Sequence, residues 1–255
     1  MSAEKLNRGF WWVIIATVIG LGQTPVHASC FGSRIALDAG HSLQRPGARS
    51  ARGRPEVAFN LMLAQVVATT LRAQGDEVVL VNPEGTVLNL VARTRQAQAA
   101  GADLFLSLHH DSVQPRYLQP WQPQPGHTEH YSDRFTGFSL FVSAQQADPK
   151  HVAASRALAM QLGAALRAAG LTPSLHHAEP IPGEGRILLD ADWGVYRFDE
   201  LIVLKTATMP AVLLEAGILV NRAEEERLRD PTYQQRIATA IGQALHRDCT
   251  DPHND

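Results

Sequence analysis

The segment Arg34-Ile35-Ala36-Leu37-Asp38-Ala39-Gly40-His41 decides the fold of this chain. Its apolar run is typical of a short buried β-strand, and Gly40 ends the run directly before a histidine. In α/β proteins, catalytic and binding side chains gather where parallel strands end. The segment therefore predicts a first strand over Arg34–Asp38 that presents His41 to a functional crevice.

The segments that follow alternate between the helical and the strand pattern. Helices are predicted over Glu56–Ala73 and Asn89–Ala100, and strands over Glu77–Val81 and Asp103–Leu108. Strands that alternate with helices favour right-handed crossovers and a parallel sheet. The fold class that we expect is α/β, with a single domain whose mainly parallel twisted sheet is flanked by helices on both faces.

The second half of the chain continues the pattern after a break at Val113–Thr136. This segment is rich in proline and unusually long for a connection, so we expect a functional or disordered insertion. Beyond it, the sequence predicts strands at Phe138–Val142, Arg186–Leu189, Leu201–Leu204 and Ala211–Leu214, helices at His151–Ala169, Ala223–Asp230 and Tyr233–His246, and a loop at Pro173–Gly185.

The N-terminus has the pattern of a signal peptide. Basic residues precede an apolar run from Phe10 to about Leu21, and small residues follow up to Ala28, where we place the cleavage site. The run is shorter than the about 20 residues of a membrane span. Residues 1–28 are therefore predicted to be removed on export, and an uncleaved anchor or a lipoprotein modified at Cys30 are the alternatives.

Composition and cysteine positions narrow the classes of partner and cofactor. The 255 residues carry a net charge of −2, which gives no support to nucleic acid or an anionic membrane as partner. Cys30 and Cys249 lie near the two ends of the mature chain. An oxidising compartment favours a disulfide between them, and two free thiols are the alternative. Neither cysteine lies in a candidate motif, so we expect no cysteine nucleophile.

Four residues are candidates for a hydrolytic metal centre. His41 follows the first strand, Glu56 begins the first helix, and His109 follows the third strand. The carboxyl ends of parallel strands converge, so these side chains can meet, and two histidines with one glutamate form a catalytic zinc set. Glu215, from the last strand, reaches the same edge and could transfer a proton. By spacing alone, histidines that are merely structural remain an alternative.

Several motifs together resemble one known family. They are Asp38-Ala39-Gly40-His41, Gly47-Ala48, Glu56, Ala102-Asp103-Leu104-Phe105-Leu106-Ser107-Leu108-His109, and Pro210-Ala211-Val212-Leu213-Leu214-Glu215-Ala216-Gly217 with Asn221. In this order they resemble the zinc-dependent N-acetylmuramoyl-L-alanine amidases of the amidase-3 type, which are cell-wall hydrolases. The similarity extends from about Arg34 to about His246, which is nearly all of the mature chain.

The resemblance implies an activity and the residues that carry it. It implies that His41, Glu56 and His109 bind one Zn²⁺ and that Glu215 is the general base and acid. The substrate would be peptidoglycan, cut at the amide between the lactyl group of N-acetylmuramic acid and L-alanine. Residues 29–255 would then be the zinc amidase catalytic domain, exported to the periplasm or the extracellular space and monomeric. The sequence identifies no activator protein.

Some residues depart from the family pattern, and other functions stay open. Ser42, His110 and Ile218 replace residues that the family usually has, and His110 could exchange roles with His109. A homologue that binds cell wall without catalysis is one alternative. A zinc deacetylase or peptidase acting on another polymer is another. The insertion 113–136 could act as a lid over the zinc site, or it could be a passive loop that contacts the wall.

The remaining polar candidates are weaker. We consider Asp38 and Asp111 as residues that orient a zinc-binding histidine or simply end a strand. His127-Thr128-Glu129-His130 and His176-His177 resemble metal pairs, and we expect both to lie in surface loops. Arg93, Arg95 and Arg186 could pair with a substrate carboxylate, and solvation on a helix face explains the first two equally well.

Overall fold

The apolar segments of the sequence form the strands and helices of the computed structural model, which describes residues 31–247. The strands in this range are β1 (Arg34–Ala39), β2 (Glu77–Val81), β3 (Leu104–Asp111), β4 (Gln119–Gln124), β5 (His127–Tyr131), β6 (Ser139–Val142), β7 (Ile187–Asp190), β8 (Val195–Arg197) and β9 (Ala211–Ile218). The α-helices are α1 (Glu56–Ala73), α2 (Leu90–Ala99), α3 (Pro149–Ala168), α4 (Ile202–Lys205), α5 (Arg222–Arg229) and α6 (Pro231–Leu245).

Two sequence predictions fall on residues beyond this range. The signal peptide over 1–28 and the disulfide between Cys30 and Cys249 lie outside the described residues. Within 31–247, no helix combines the length and the apolar character that crossing a membrane requires.

One sheet of the described chain holds seven strands in the order β2-β1-β3-β9-β6-β8-β7. β2, β1, β3 and β9 pair in parallel, and β6 pairs in parallel with β8. β6 is antiparallel to β9, and β7 is antiparallel to β8. The prediction of a mainly parallel sheet is therefore confirmed, and the carboxyl ends of β1, β3 and β9 lie at one edge.

Helices cover both faces of this sheet, as predicted. Ile35 and Leu37 of β1 pack on the face that carries α1, α3 and α6. Ala36 of the same strand packs on the opposite face, which also buries Val203 and Leu204 of α4. Successive side chains of a strand point to opposite faces, so an apolar run without polar positions indicates a strand that is buried on both. Each fully buried aliphatic side chain stabilises the fold by about 1.5–3 kcal/mol.

Two segments differ from their predicted structure. The prediction of a strand at Leu201–Leu204 is wrong, because Ile202–Lys205 forms a short helix. The strand nearest to it in sequence is Val195–Arg197, which lies between β6 and β7 in the sheet. A four-residue apolar run fits either element, and tertiary packing decides between them. The insertion 113–136 contains a two-stranded hairpin of β4 and β5. Its prolines are tolerated because both strands are edges of a two-stranded sheet.

A buried ion pair fixes the carboxyl end of β1. Arg93 of α2 donates to Asp38 Oδ1 at 3.1 Å and to the carbonyl of Ala39 at 2.9 Å, and it also donates to the carbonyl of His41. The hydroxyl of Ser107 donates to the other carboxylate oxygen of Asp38 at 2.8 Å. Asp38 therefore orients Arg93 and not His41. Arg93 is buried, so the interpretation of it as a solvated helix residue is wrong.

Arg93→Met should destabilise the fold strongly. The substitution leaves the Asp38 carboxylate buried without a cation and removes the donor from the carbonyls of Ala39 and His41. Breaking a buried pair from one side costs about 3–5 kcal/mol, and urea unfolding followed by circular dichroism measures this loss. Arg95→Met changes an exposed arginine of the same helix and is the matched control. Equal losses in the two variants would contradict the assignment.

Candidate metal centre and active site

The first group of site residues gathers where β1, α1 and β3 meet. Nε2 of His41 lies 3.0 Å from Glu56 Oε2, and Nδ1 of His109 lies 3.1 Å from Glu56 Oε1. The candidate ligand atoms of the three residues all lie within 4.8 Å of one another. The side chain of Glu56 is 5% exposed, whereas that of His41 is 33% exposed, so the group opens to solvent on the His41 side.

This donor set fits a zinc ion. Two imidazole nitrogens and one carboxylate oxygen are the protein ligands of many catalytic zinc sites, in which the fourth position is left to water or substrate. The partial exposure of His41 provides the side from which such a fourth ligand could enter. His41, Glu56 and His109 are thus the residues that could hold the metal.

Glu56 is kept ionised in spite of its burial. Burial would raise the pKa of this carboxyl, but hydrogen bonds and positive charge from His109 and His41 hold its pKa well below the usual range. The backbone N–H of Ala48 donates to Glu56 Oε2 at 3.1 Å, and the amide of Asn60 donates to Oε1 at 3.1 Å. A deprotonated carboxylate is the form that binds a metal.

Gly40 makes room for the ring of His109. A Cβ atom on Gly40 would lie 2.2 Å from His109 Nε2, which no real contact allows. The N–H of Gly40 donates to the carbonyl of Leu108 at 2.9 Å, so this close approach of β1 and β3 is fixed by the backbone. Directly afterwards, His41 adopts a left-handed backbone with φ of 64°, and Asn82 donates to its carbonyl at 2.8 Å. These contacts turn the chain so that His41 faces Glu56.

The neighbouring His110 points away from the group. It is buried, and its Nδ1 lies 2.7 Å from Asn60 Oδ1. Burial lowers the pKa of His110 to about 4, and the charge of Glu56 opposes this only in part. Alternation along β3 explains why adjacent histidines point to opposite sides. The structure therefore brings His109, and not His110, to His41 and Glu56.

Glu215 lies on β9 directly opposite His109 of β3 in the parallel register. Its Oε2 is buried and has no hydrogen-bond partner within the described chain. Burial raises the pKa of Glu215 well above its usual range, and the charges of Asp111 and Glu56 add to the increase. A carboxyl with a raised pKa can exchange a proton near neutral pH. It lines a cavity of about 150 Å³.

Other polar candidates have different surroundings from those predicted. His176 is buried and His177 is largely buried beside Asp111, so the prediction of a surface loop is wrong for this pair. Asp111 contacts these two histidines and not a zinc-ligand candidate. The motif 127–130 forms β5, and within residues 31–247 it is not among the groups close enough to hold a metal. Arg186 stacks 3.9 Å from the ring centroid of Phe198.

Sequence reasoning missed the residues that position the site. Asn60 and Asn82 hold the backbone around Gly40 and His41, and Asn60 also contacts Glu56. Asn60 could have been found, because it follows Glu56 by four residues and so shares its helix face. Asn82 follows β2 with a left-handed backbone, and nothing local in the sequence indicates its long-range contact.

Comparison with known proteins identifies the family. The Amidase_3 family, described as N-acetylmuramoyl-L-alanine amidase, matches residues 35–247. The chain belongs to this family. This match spans all of the residues described above for the site, from His41 to Glu215.

Two relatives of known sequence illustrate the similarity. N-acetylmuramoyl-L-alanine amidase LytC of Bacillus subtilis is 28% identical, over 94% of this chain and 43% of LytC, so the chain spans less than half of that relative. AmiA of Escherichia coli, with the same enzyme name, is 24% identical over 83% of this chain and 74% of AmiA.

The solved structures have the same fold. The catalytic domain of the N-acetylmuramoyl-L-alanine amidase CwlV, from Bacillus (Paenibacillus) polymyxa, is 29% identical with a TM-score of 0.61, over 84% of this chain and 96% of CwlV. The CwlD amidase of Clostridioides difficile, solved in complex with the GerS lipoprotein, is 21% identical with a TM-score of 0.57, over 84% of this chain and 96% of CwlD.

Gly40→Ala should weaken zinc binding at the first group. The added methyl would push the His109 ring out of its place, and changes to the groups that orient a metal ligand typically cost about 10- to 100-fold in metal affinity. Competition with a chromogenic chelator measures the affinity. Gly75→Ala is the control, because a Cβ there meets nothing within 4 Å although φ is +100°. Unchanged affinity in Gly40→Ala would contradict the expected clash.

Proposed function

We propose that this protein hydrolyses the amide bond between the lactyl group of N-acetylmuramic acid and L-alanine in peptidoglycan. One observation carries the proposal, namely that His41, Glu56 and His109 converge at the sheet edge with Glu215 opposite His109. The family match over residues 35–247 gives this arrangement its substrate class. The named amidases LytC and AmiA support the same reaction.

His41, Glu56 and His109 would hold one zinc ion. Zinc held by three such ligands acts as a Lewis acid and lowers the pKa of a water molecule towards about 7. The ionised Glu56 and the uncharged forms of the two imidazoles supply the lone pairs that this requires. Gly40 and Asn82 would keep the ligands in place before the ion binds, since they fix the positions of His109 and His41.

Glu215 would take a proton from the attacking water and return it to the amine of L-alanine. Its place opposite His109 puts a carboxylate beside the metal group without making it a member of that group. Burial raises its pKa, which favours a side chain that gives up and regains a proton within one turnover. The leaving amine needs that proton because an unprotonated amide nitrogen is a poor leaving group.

The organisation of the whole chain follows from the same proposal. Residues 1–28 would be a signal peptide, and 29–255 the catalytic domain. Peptidoglycan lies outside the cytoplasm, so we place the protein in the periplasm. We also propose that it is a monomer. CwlD was solved in complex with the GerS lipoprotein, which supports the idea that a partner protein, in this chain an activator, binds the catalytic domain.

Glu215→Gln should abolish most of the turnover while zinc content is retained. Loss of a general acid and base lowers rates by about 10²- to 10⁴-fold. Digestion of muropeptides followed by mass spectrometry measures turnover, and stem peptides with a free L-alanine N-terminus identify the amidase. Removal of the metal with a chelator should abolish the same activity, and added Zn²⁺ should restore it.

The control variant and the products separate the alternatives. Glu84→Gln changes an exposed glutamate and should leave turnover unchanged. Release of acetate would indicate a deacetylase on another polymer. Zinc binding without any product would indicate a homologue that only binds cell wall. Activity that survives both the chelator and Glu215→Gln would refute the mechanism.

The hairpin of the insertion supports the loop that precedes α1. Glu129 pairs with Arg49 at 2.6 Å, and the indole N–H of Trp121 donates to the carbonyl of Ala51 at 2.7 Å. Arg49 follows Ala48, whose N–H donates to Glu56. The contacts thus connect the hairpin, through one short loop, to the carboxylate of the metal group.

Replacing residues 120–130 by a short Gly-Ser linker should therefore lower turnover of intact cell wall. The loop at Ala48 would lose its support, and Glu56 would be held less firmly. Dye release from labelled sacculi measures this activity, and a soluble muropeptide assayed in parallel separates loss of the site from loss of wall contact. Turnover equal to that of the unchanged protein on both substrates would show the hairpin to be passive.

A further inference from the structure

A second group of metal-ligand side chains lies at the same edge of the sheet. Asp111 ends β3, and His176 and His177 lie in the 3₁₀-helix His176–Ala178. Nε2 of His177 is 2.8 Å from Asp111 Oδ2, and Nε2 of His176 is 3.3 Å from the same oxygen. One ligand atom from each of the three residues lies within 4.8 Å of the other two.

The orientation of the two rings suits ligands. Nδ1 of His177 lies 2.9 Å from Glu184 Oε2, and Nδ1 of His176 lies 2.9 Å from Ser174 Oγ. An ionised carboxylate can only accept, so Nδ1 of His177 must carry the proton that points to Glu184. Histidine ligands of metals usually donate the nitrogen that is not bound to the metal in this way. Both Nε2 atoms are then directed at Asp111.

One of these nitrogens contacts a carboxylate without hydrogen-bond geometry. The side chain of His176 is 1% exposed, and within residues 31–247 its Nε2 forms no hydrogen bond although Asp111 Oδ2 is 3.3 Å away. That separation is close to the distance of about 3.3 Å between ligands of a tetrahedral zinc whose bonds are about 2.0–2.1 Å long. A buried nitrogen that faces a carboxylate oxygen without a hydrogen bond is the arrangement that a bound cation would explain.

The two carboxylates of the group attract positive charge, which a protonated His177 supplies only in part. Asp111 and Glu184 bring two carboxylates into a place where their side chains are 13% and 5% exposed. The imidazole rings of His176 and His177 are 3.9 Å apart between centroids, so two imidazolium charges would repel each other strongly. One divalent ion with two neutral imidazoles balances the two carboxylates without this repulsion.

We propose that Asp111, His176 and His177 bind a second divalent transition-metal ion of the zinc class. Mixed imidazole and carboxylate donors select such ions over calcium and magnesium. His177 also lines the cavity of about 150 Å³ that holds Glu215, so water can supply the remaining ligand from there. The ion fixes the 3₁₀-helix to the end of β3, and with it one wall of that cavity.

This second site does not depend on the proposed amidase activity. It uses none of His41, Glu56, His109 or Glu215, and its occupancy can be measured without a substrate. Failure of the amidase assay would not contradict the second metal site. A single metal ion per chain would contradict the second site but not the amidase proposal.

Metal content tests the second site directly. Untagged protein is stripped with a chelator, incubated with excess Zn²⁺, desalted and analysed by inductively coupled plasma mass spectrometry. We expect two zinc ions per unchanged chain and one in the His41→Ala/His109→Ala variant. We also expect one in the His176→Ala/His177→Ala variant. His130→Ala changes an exposed histidine of the hairpin and should keep two.

The His41→Ala/His109→Ala variant keeps the test decisive even where changes at His176 and His177 prevent folding. It leaves the second group intact, and added Zn²⁺ should raise the melting temperature of this variant, more so at higher Zn²⁺ concentration. One zinc per unchanged chain together with none in the His41→Ala/His109→Ala variant would overturn the proposal. Loss of one zinc in His130→Ala would place the second ion on the hairpin and would overturn it equally.

Discussion

The buried carboxylate of Glu56 is the group on which the site depends. An ionised carboxylate loses several kcal/mol of hydration on burial, so its surroundings must supply donors or charge. His41 and His109 contact its two oxygens, and the backbone of Ala48 and the amide of Asn60 complete the shell. The loop before α1 and the ends of β1 and β3 must therefore all meet at one point. A metal bound here would replace contacts that already hold its candidate ligands together.

The sequence predicts this convergence because it follows from strand direction. The predicted bounds of α1 (Glu56–Ala73) and of β2 (Glu77–Val81) are those of the structure. Once β1, β3 and β9 are taken as parallel neighbours, their carboxyl ends must share an edge. His109 and Glu215 then become opposite residues without any knowledge of side-chain packing. Local periodicity and strand direction bring the candidate residues to one edge, whereas their roles rest on the resemblance to the family.

Features that depend on tertiary contacts could not be predicted in this way. A four-residue run such as Ile202–Lys205 carries no periodicity that separates helix from strand. Arg93 has the sequence pattern of a solvated helix residue. In the structure it forms a buried ion pair with Asp38, which lies 55 positions earlier in the chain. His176-His177 lies in a segment rich in loop residues, and its burial involves Asp111 from a distant strand and aromatic side chains such as Phe141. Each case depends on a partner that is remote in sequence.

The end of β3 explains how one strand serves two groups of polar residues. His109 and Asp111 share one side of the strand, while His110 between them points to Asn60. The register with β9 shifts between His109, which faces Glu215, and Asp111, which faces Ile218, so two residues of β3 advance past three of β9. Such a bulge re-aims the side chains beyond it. His109 can therefore reach Glu56 while Asp111 turns to His176 and His177. A regular ladder would have directed His109 and Asp111 to the same place.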